Sequence, residues 1–255
     1  MRFLPRRLRP GEEATLVEHL GELRTRLVIS LLAITVAFAV TYAFRGYLLD
    51  WLNRPLPDRF QKPVTFGVAE PFITSVTVAL YAAVVIALPV LLYQMWAFLA
   101  PAFDRSTQRV AVALSGVAAL LAAGGLAFGY IVALPAAVHF LTHYDEAHYT
   151  IFIRARDYYG FASLVLLAVS VVFEVPLVVL GMVRVGIVSA QTLRRKWRHG
   201  LVAMAALAVA LPGVDPVTTT FEMVPLMLLD GLTLLLAPLV ERRRTQPAPE
   251  PLPEQ

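Results

Sequence analysis

The 255-residue chain contains no cysteine, which excludes disulfides, thiol catalysis and cysteine-based metal sites and leaves the redox compartment open. Charge is scarce as well: charged residues make up 16% of the chain against 58% apolar, where a soluble domain carries about a quarter charged and about half apolar. The apolar residues come in long blocks, not in alternating patches, so the expected fold is an all-α polytopic membrane protein built as one domain. Ser/His/Asp and His-Glu-x-x-His arrangements, phosphate-binding loops and dinucleotide fingerprints are also missing. No enzyme activity, metal or cofactor is therefore expected, and any energy for transport has to come from elsewhere. A net charge of +4 would suit nucleic acid in a soluble protein. In a membrane chain such an excess sits in cytoplasmic loops, so no nucleic-acid partner is expected.

What is present is a series of apolar runs. Six transmembrane helices are expected at about 27–44, 71–98, 109–134, 158–183, 199–211 and 219–240, making residues 1–240 one membrane domain and 241–255 a disordered tail. The first helix should start early, with Thr15 as N-cap and Glu18 three residues on. The N-terminal arginines run into Pro10-Gly11-Glu12-Glu13, not into a short apolar core, so no removable signal is expected. Residues 45–70 read as a polar, proline-rich connection. Pro71 suits a first helical turn, and Pro89 predicts a kink. Gly116, Gly124, Gly125 and Gly129 would let the third span pack closely. Sixteen Lys and Arg fall on one side of this arrangement and six on the other, which puts both termini in the cytoplasm. The fifth span, thirteen residues, reaches only roughly 20 Å, short of a ~30 Å hydrocarbon core, and implies local thinning of the bilayer.

Few residues in these runs can carry chemistry. Glu174, followed by Pro176, falls near mid-membrane with no Lys or Arg in the apolar stretches to pair with it. It must be protonated, hydrated or hydrogen-bonded across helices, either as a structural tie or as a polar point in a water-filled concavity. Asp230 and Glu222 lie eight residues apart on roughly one face of the last span. Asp230 is balanced between glue and function, and Glu222 reads as an interfacial acid. On the entry helix Glu22 and Arg26 sit at i, i+4 and share a face with His19 and Leu23. That is either a solvated ion pair or a recognition stripe. Trp96, Phe98, Phe103 and Trp197 read as interfacial belt aromatics.

His19-Leu20-Gly21-Glu22-Leu23-Arg24-Thr25-Arg26-Leu27 resembles the N-terminal signature of the TatC family, the receptor subunits of the twin-arginine protein translocase. Tyr93 to Pro101, Phe173-Glu174-Val175-Pro176, Asp215 ten residues before Pro225, Glu70-Pro71-Phe72 and Arg54-Pro55-Leu56 are similar to further family motifs, so the likeness covers about residues 15–240. The resemblance implies a cupped six-helix receptor in the cytoplasmic (plasma) membrane. It would bind twin-arginine signal peptides of folded cargo at the cytoplasmic face and act with TatA/TatB-type single-span partners. Export would be driven by the proton-motive force, within a translocase holding several copies of the chain. By that likeness Glu22, with His19, Arg24 and Phe98 beside it, would hold the signal. Glu174, with Asp230, would be the intramembrane polar site, and Pro55 and Asp215 would serve the outer side. The sequence departs from the family at Thr107, where a second acid is often found. Asp104, three residues away, is the nearest substitute; otherwise carbonyls hold one arginine.

Overall fold

The computed structural model describes residues 16–99, 106–145, 148, 150–210 and 216–245. Apolar blocks this long can satisfy their backbone only within themselves, so they form helices. The elements are α1 (Leu16–Ala43), α2 (Arg45–Asn53), α3 (Glu70–Leu99), α4 (Ser106–Phe128), α5 (Leu134–His143), α6 (Ala155–Phe173), α7 (Val175–Val185), α8 (Ala190–Arg195), α9 (Trp197–Ala210) and α10 (Pro216–Thr245). A π-turn, Gly129–Ala133, joins α4 to α5 into one long rod. Five stretches are long and apolar enough to cross a membrane: Leu20–Ala43, Glu70–Phe98, Ser115–His143, Ala155–Arg184 and Glu222–Glu241. Trp197–Val209 is the shorter sixth, as the sequence led one to expect.

Traversed alternately, these spans bring the start of α1, the end of α3, the end of α7, the start of α9 and the end of α10 to one end of the bundle, called here the Glu22 end. The other end carries Glu70. Helices α3, α4 and α6 pack mutually in the middle, α1 leans on α3, and α10 packs against α7 and α9. Gly125 makes the α4–α6 crossing close: a Cβ there would lie 2.9 Å from the Ser170 Cα. Gly116 and Gly124 have nothing within 4 Å, so only part of the glycine series serves packing. Pro89 lies inside α3 without ending it.

The connection expected to be a polar loop is folded. Its helix α2 buries Leu52 against Tyr158 and Tyr159, and Leu56 beyond it is 3% exposed. Three tyrosines on the long spans fasten this segment. The Tyr158 hydroxyl donates to the Leu52 carbonyl (2.6 Å), Tyr159 to Asn53 Oδ1 (2.8 Å) and Tyr130 to the Trp51 carbonyl (2.9 Å). Proline density was a poor guide because the prolines all follow the helix and do not interrupt it. Next to it, Val64 pairs with the Ile153–Ala155 backbone (2.9 and 2.8 Å).

A single carboxylate ties these pieces. Glu70, buried at the start of α3, accepts from Arg154 Nε (2.9 Å) and Nη2 (3.2 Å), and from the Phe66 and Gly67 amides (3.1 and 3.2 Å). The bond to Glu70 pushes the Arg154 guanidinium further above its ordinary value, so Arg154 stays charged at any working pH. Glu70→Ala is expected to lower the melting temperature of the purified protein more than Arg154→Ala. The first change strands a cation and two amides, whereas the second leaves Glu70 its amide donors. Equal shifts would show that the amide contacts contribute nothing.

Candidate functional site

At the Glu22 end the first and second spans, α1 and α3, meet through one hydrogen-bonded chain. Gln94, buried on the last turns of α3, accepts from Arg26 Nη1 (3.3 Å). Arg26 turns its Nε (3.1 Å) and Nη2 back onto the Glu22 Oε1, both bonds falling on the same oxygen. The expected i, i+4 pair between Glu22 and Arg26 therefore forms, and it is anchored to α3 and not merely solvated. Glu22 Oε2 accepts no hydrogen bond from the described residues. The side chains of Glu22 and Arg26 are 24% and 22% exposed. A carboxylate fixed through one oxygen and open at the other is a ready acceptor for an incoming guanidinium.

Around it, Arg24 is exposed on α1, and Phe98 is half-buried in the last turn of α3. Asp104 lies outside the described residues, as do the side chains of His19 and Thr107; Thr107 is the second residue of α4. Trp96 departs from expectation. It is 4% exposed, so it is a core residue and not a belt residue. Its indole fills the space that Gly181 leaves on α7, packed onto the glycine itself. Two turns of α3 thus carry both the anchor of Glu22 and the contact to α7.

Above that contact the fourth span breaks. Pro176 has no N–H to give, α6 stops at Phe173, and the Glu174 amide turns to the Val171 carbonyl (3.0 Å). Glu174 is 3% exposed, and its oxygens approach the Ala122 backbone of α4 without meeting the geometry of a hydrogen bond. Asp230 faces a different helix. Its carboxylate packs on Gly200 of α9, where a Cβ would lie 3.5 Å from Oδ2. Glu222, the first residue of the last apolar stretch, is buried at 2% exposure among Phe128, Val169, Phe173 and Leu226. The two acids of α10 have different neighbours, α4 and α6 for Glu222 and α9 for Asp230. Structure therefore gathers Glu22, Arg26, Gln94 and Phe98 at one end and leaves Glu174, Glu222 and Asp230 at separate points. Pro55 lies at the opposite end, in the turn after α2, and Asp215 falls outside the described residues. No cluster of three or more His, Asp or Glu suited to a metal occurs among the described residues.

Residues 18–225 match the family profile described as Sec-independent protein translocase protein (TatC). The chain belongs to the TatC family. A "Sec-independent protein translocase protein TatC" of Desulforapulum autotrophicum is 33% identical over 230 residues, covering 89% of this chain and 85% of the relative. The chloroplastic "Sec-independent protein translocase protein TATC" of Arabidopsis thaliana is 32% identical over 85% of this chain and 64% of its own. Among solved structures, one titled "Crystal Structure of Twin Arginine Translocase Receptor- TatC" superposes with a TM-score of 0.73 at 26% identity, covering 87% of this chain and 99% of that one. As a TatC-family member, the chain is a multi-pass membrane component of the Sec-independent translocase. Gln94 and Gly181 are the two positions that sequence reading passed over. Gln94 stood inside the Tyr93–Pro101 motif, and its only signal was an amide in an apolar turn.

Proposed function

We propose that this chain is the receptor of a twin-arginine translocase, and that Glu22 takes one arginine of the signal through its open Oε2. The observation that carries this reading is the Gln94–Arg26–Glu22 chain, which fixes the carboxylate while leaving one oxygen unengaged. Phe98 would flank the peptide, with His19, Arg24, Asp104 and Thr107 forming the rest of the approach. The distribution of cations supports a cytoplasmic Glu22 end and both termini inside the plasma membrane. Residues 1–240 would act as one membrane domain, followed by a free tail, and without catalysis of their own. Energy would come from the proton-motive force, with TatA/TatB-type single-span proteins and further copies of the chain as partners. Glu174 and Asp230 would supply polar points along the path of the signal's apolar segment, and Pro55 and Asp215 would serve the outer side.

A photo-crosslinker placed at Phe98 or Leu23 should capture a twin-arginine precursor, and an excess of free signal peptide should abolish the adduct. The same probe at Leu120, exposed on α4 well away from this end, should capture none. Equal capture from all three positions would refute the assignment.

A further inference from the structure

Outside the Glu22 region, cations gather at the turn between α8 and α9. Residues 194–198 read Arg-Arg-Lys-Trp-Arg, and all five side chains are exposed. The four cations make no ion pair or hydrogen bond through their side chains with any described residue; the one contact is Arg198 over the Trp197 ring, 5.7 Å from its centroid. Acids on the packed elements are turned elsewhere: Glu241 of α10 accepts from the Ala190 amide (3.2 Å), and Asp230 packs on Gly200.

The position of this turn is what makes it unusual. The fourth and last spans end at the same level, because Arg184 Nη1 donates to the Val240 carbonyl (3.4 Å) and the apolar stretches stop at Arg184 and Glu241. Helix α8 starts at that level, through Ala190 and Glu241. Gly200, however, sits beside Asp230, ten residues back along α10, which is about 15 Å along the helix axis. The basic turn therefore climbs from the end of the spans toward mid-bundle. In an unperturbed bilayer these cations would lie below the headgroups, where bare charge is costly.

We infer that the α8–α9 turn binds the phosphate of anionic lipids, drawing headgroups inward around the short helix α9. Guanidinium groups match phosphate oxygens two at a time, and a lysine adds a point charge. Exposed Trp197 supplies the amphipathic ring that favours the glycerol level of a leaflet. The ligand is a lipid and not a soluble acid because the exposed cations stand at the start of a thirteen- to fourteen-residue apolar helix that a flat bilayer cannot match. Ser189 braces the turn by accepting from the Thr192 amide (3.1 Å), so the cations are presented on a formed element.

The test uses the full chain in nanodiscs of equimolar phosphatidylglycerol and phosphatidylcholine, released into mild detergent, with retained lipids counted by native mass spectrometry. Wild type should keep phosphatidylglycerol over phosphatidylcholine by about fivefold or more, and the quadruple variant R194Q/R195Q/K196Q/R198Q should lose that preference while its melting temperature holds. R242Q/R243Q/R244Q, which removes three cations from the same end, should retain it. Equal retention of the two lipids by wild type, or an unchanged preference in the quadruple variant, would overturn the inference. So would an equal loss in the Arg242–Arg244 variant, which would mean generic charge. Displacement of the lipid by millimolar inorganic phosphate would reassign the turn to free phosphate, and displacement by a poly-glutamate peptide would reassign it to an acidic protein; either result overturns the lipid assignment.

Discussion

Adding one methyl group at Gly181 is expected to unseat the Trp96 indole and loosen the whole Glu22 end. A Cβ at that position would fall within the van der Waals envelope of three indole carbons, Cη2, Cζ2 and Cζ3. The ring is rigid and 4% exposed, and α7 presents backbone there, so neither side can give a few tenths of an ångström. Loss of a buried tryptophan's packing costs about 3–5 kcal/mol. Gly181→Ala should therefore melt far below wild type in detergent. It should also weaken peptide binding, since Gln94 and Phe98 stand two residues either side of Trp96. Trp96→Ala removes the colliding ring, so Gly181→Ala should cost almost nothing when added to it. The two changes are then strongly non-additive. A Gly181→Ala protein that melts with wild type would show that the indole has room to move.

Much of this architecture could be read in advance, and the reasons differ by element. Apolar blocks dictate helices wherever backbone must be satisfied without water, so the five long spans and the short α9 follow from composition alone. The break at Glu174 follows from Pro176, because a missing N–H is a local property. Helix α2 was not legible: its burial depends on tyrosines 130, 158 and 159, brought to it by tertiary packing. Trp96 misled for the same reason. An aromatic near a span end is a belt residue by default, and only the glycine on α7, 85 residues away in the chain, makes it core. In the Glu22 region the i, i+4 pair was visible in the spacing, but its tie to Gln94 was not, since nothing in the sequence aligns α1 with α3.

Glu22→Gln is the second change expected to have a large effect, this time on recognition. Glutamine keeps the size of the side chain and can still accept from Arg26, so α1 should stay anchored to α3 through Arg26 and Gln94. What disappears is the negative charge on the open oxygen. A hydrogen bond to a charged group contributes about 1.5–3 kcal/mol, and each 1.4 kcal/mol is about tenfold in affinity. The variant should therefore bind a twin-arginine peptide about ten- to hundredfold more weakly at an unchanged melting temperature. Gln94→Ala should give a smaller loss, because Glu22 keeps its charge and only its orientation is freed.

The carboxylate of Glu22, held by Arg26 and open at Oε2, is expected to distinguish arginine from lysine. The most direct test is binding of a twin-arginine signal peptide and of its twin-lysine counterpart to the purified full chain, in wild type and in Glu22→Gln. Wild type should prefer the arginine peptide by about tenfold or more, as the fork geometry of guanidinium on carboxylate requires, and Glu22→Gln should bring the two peptides level. Equal binding of the two peptides by wild type, or a preference that survives in Glu22→Gln, would contradict it.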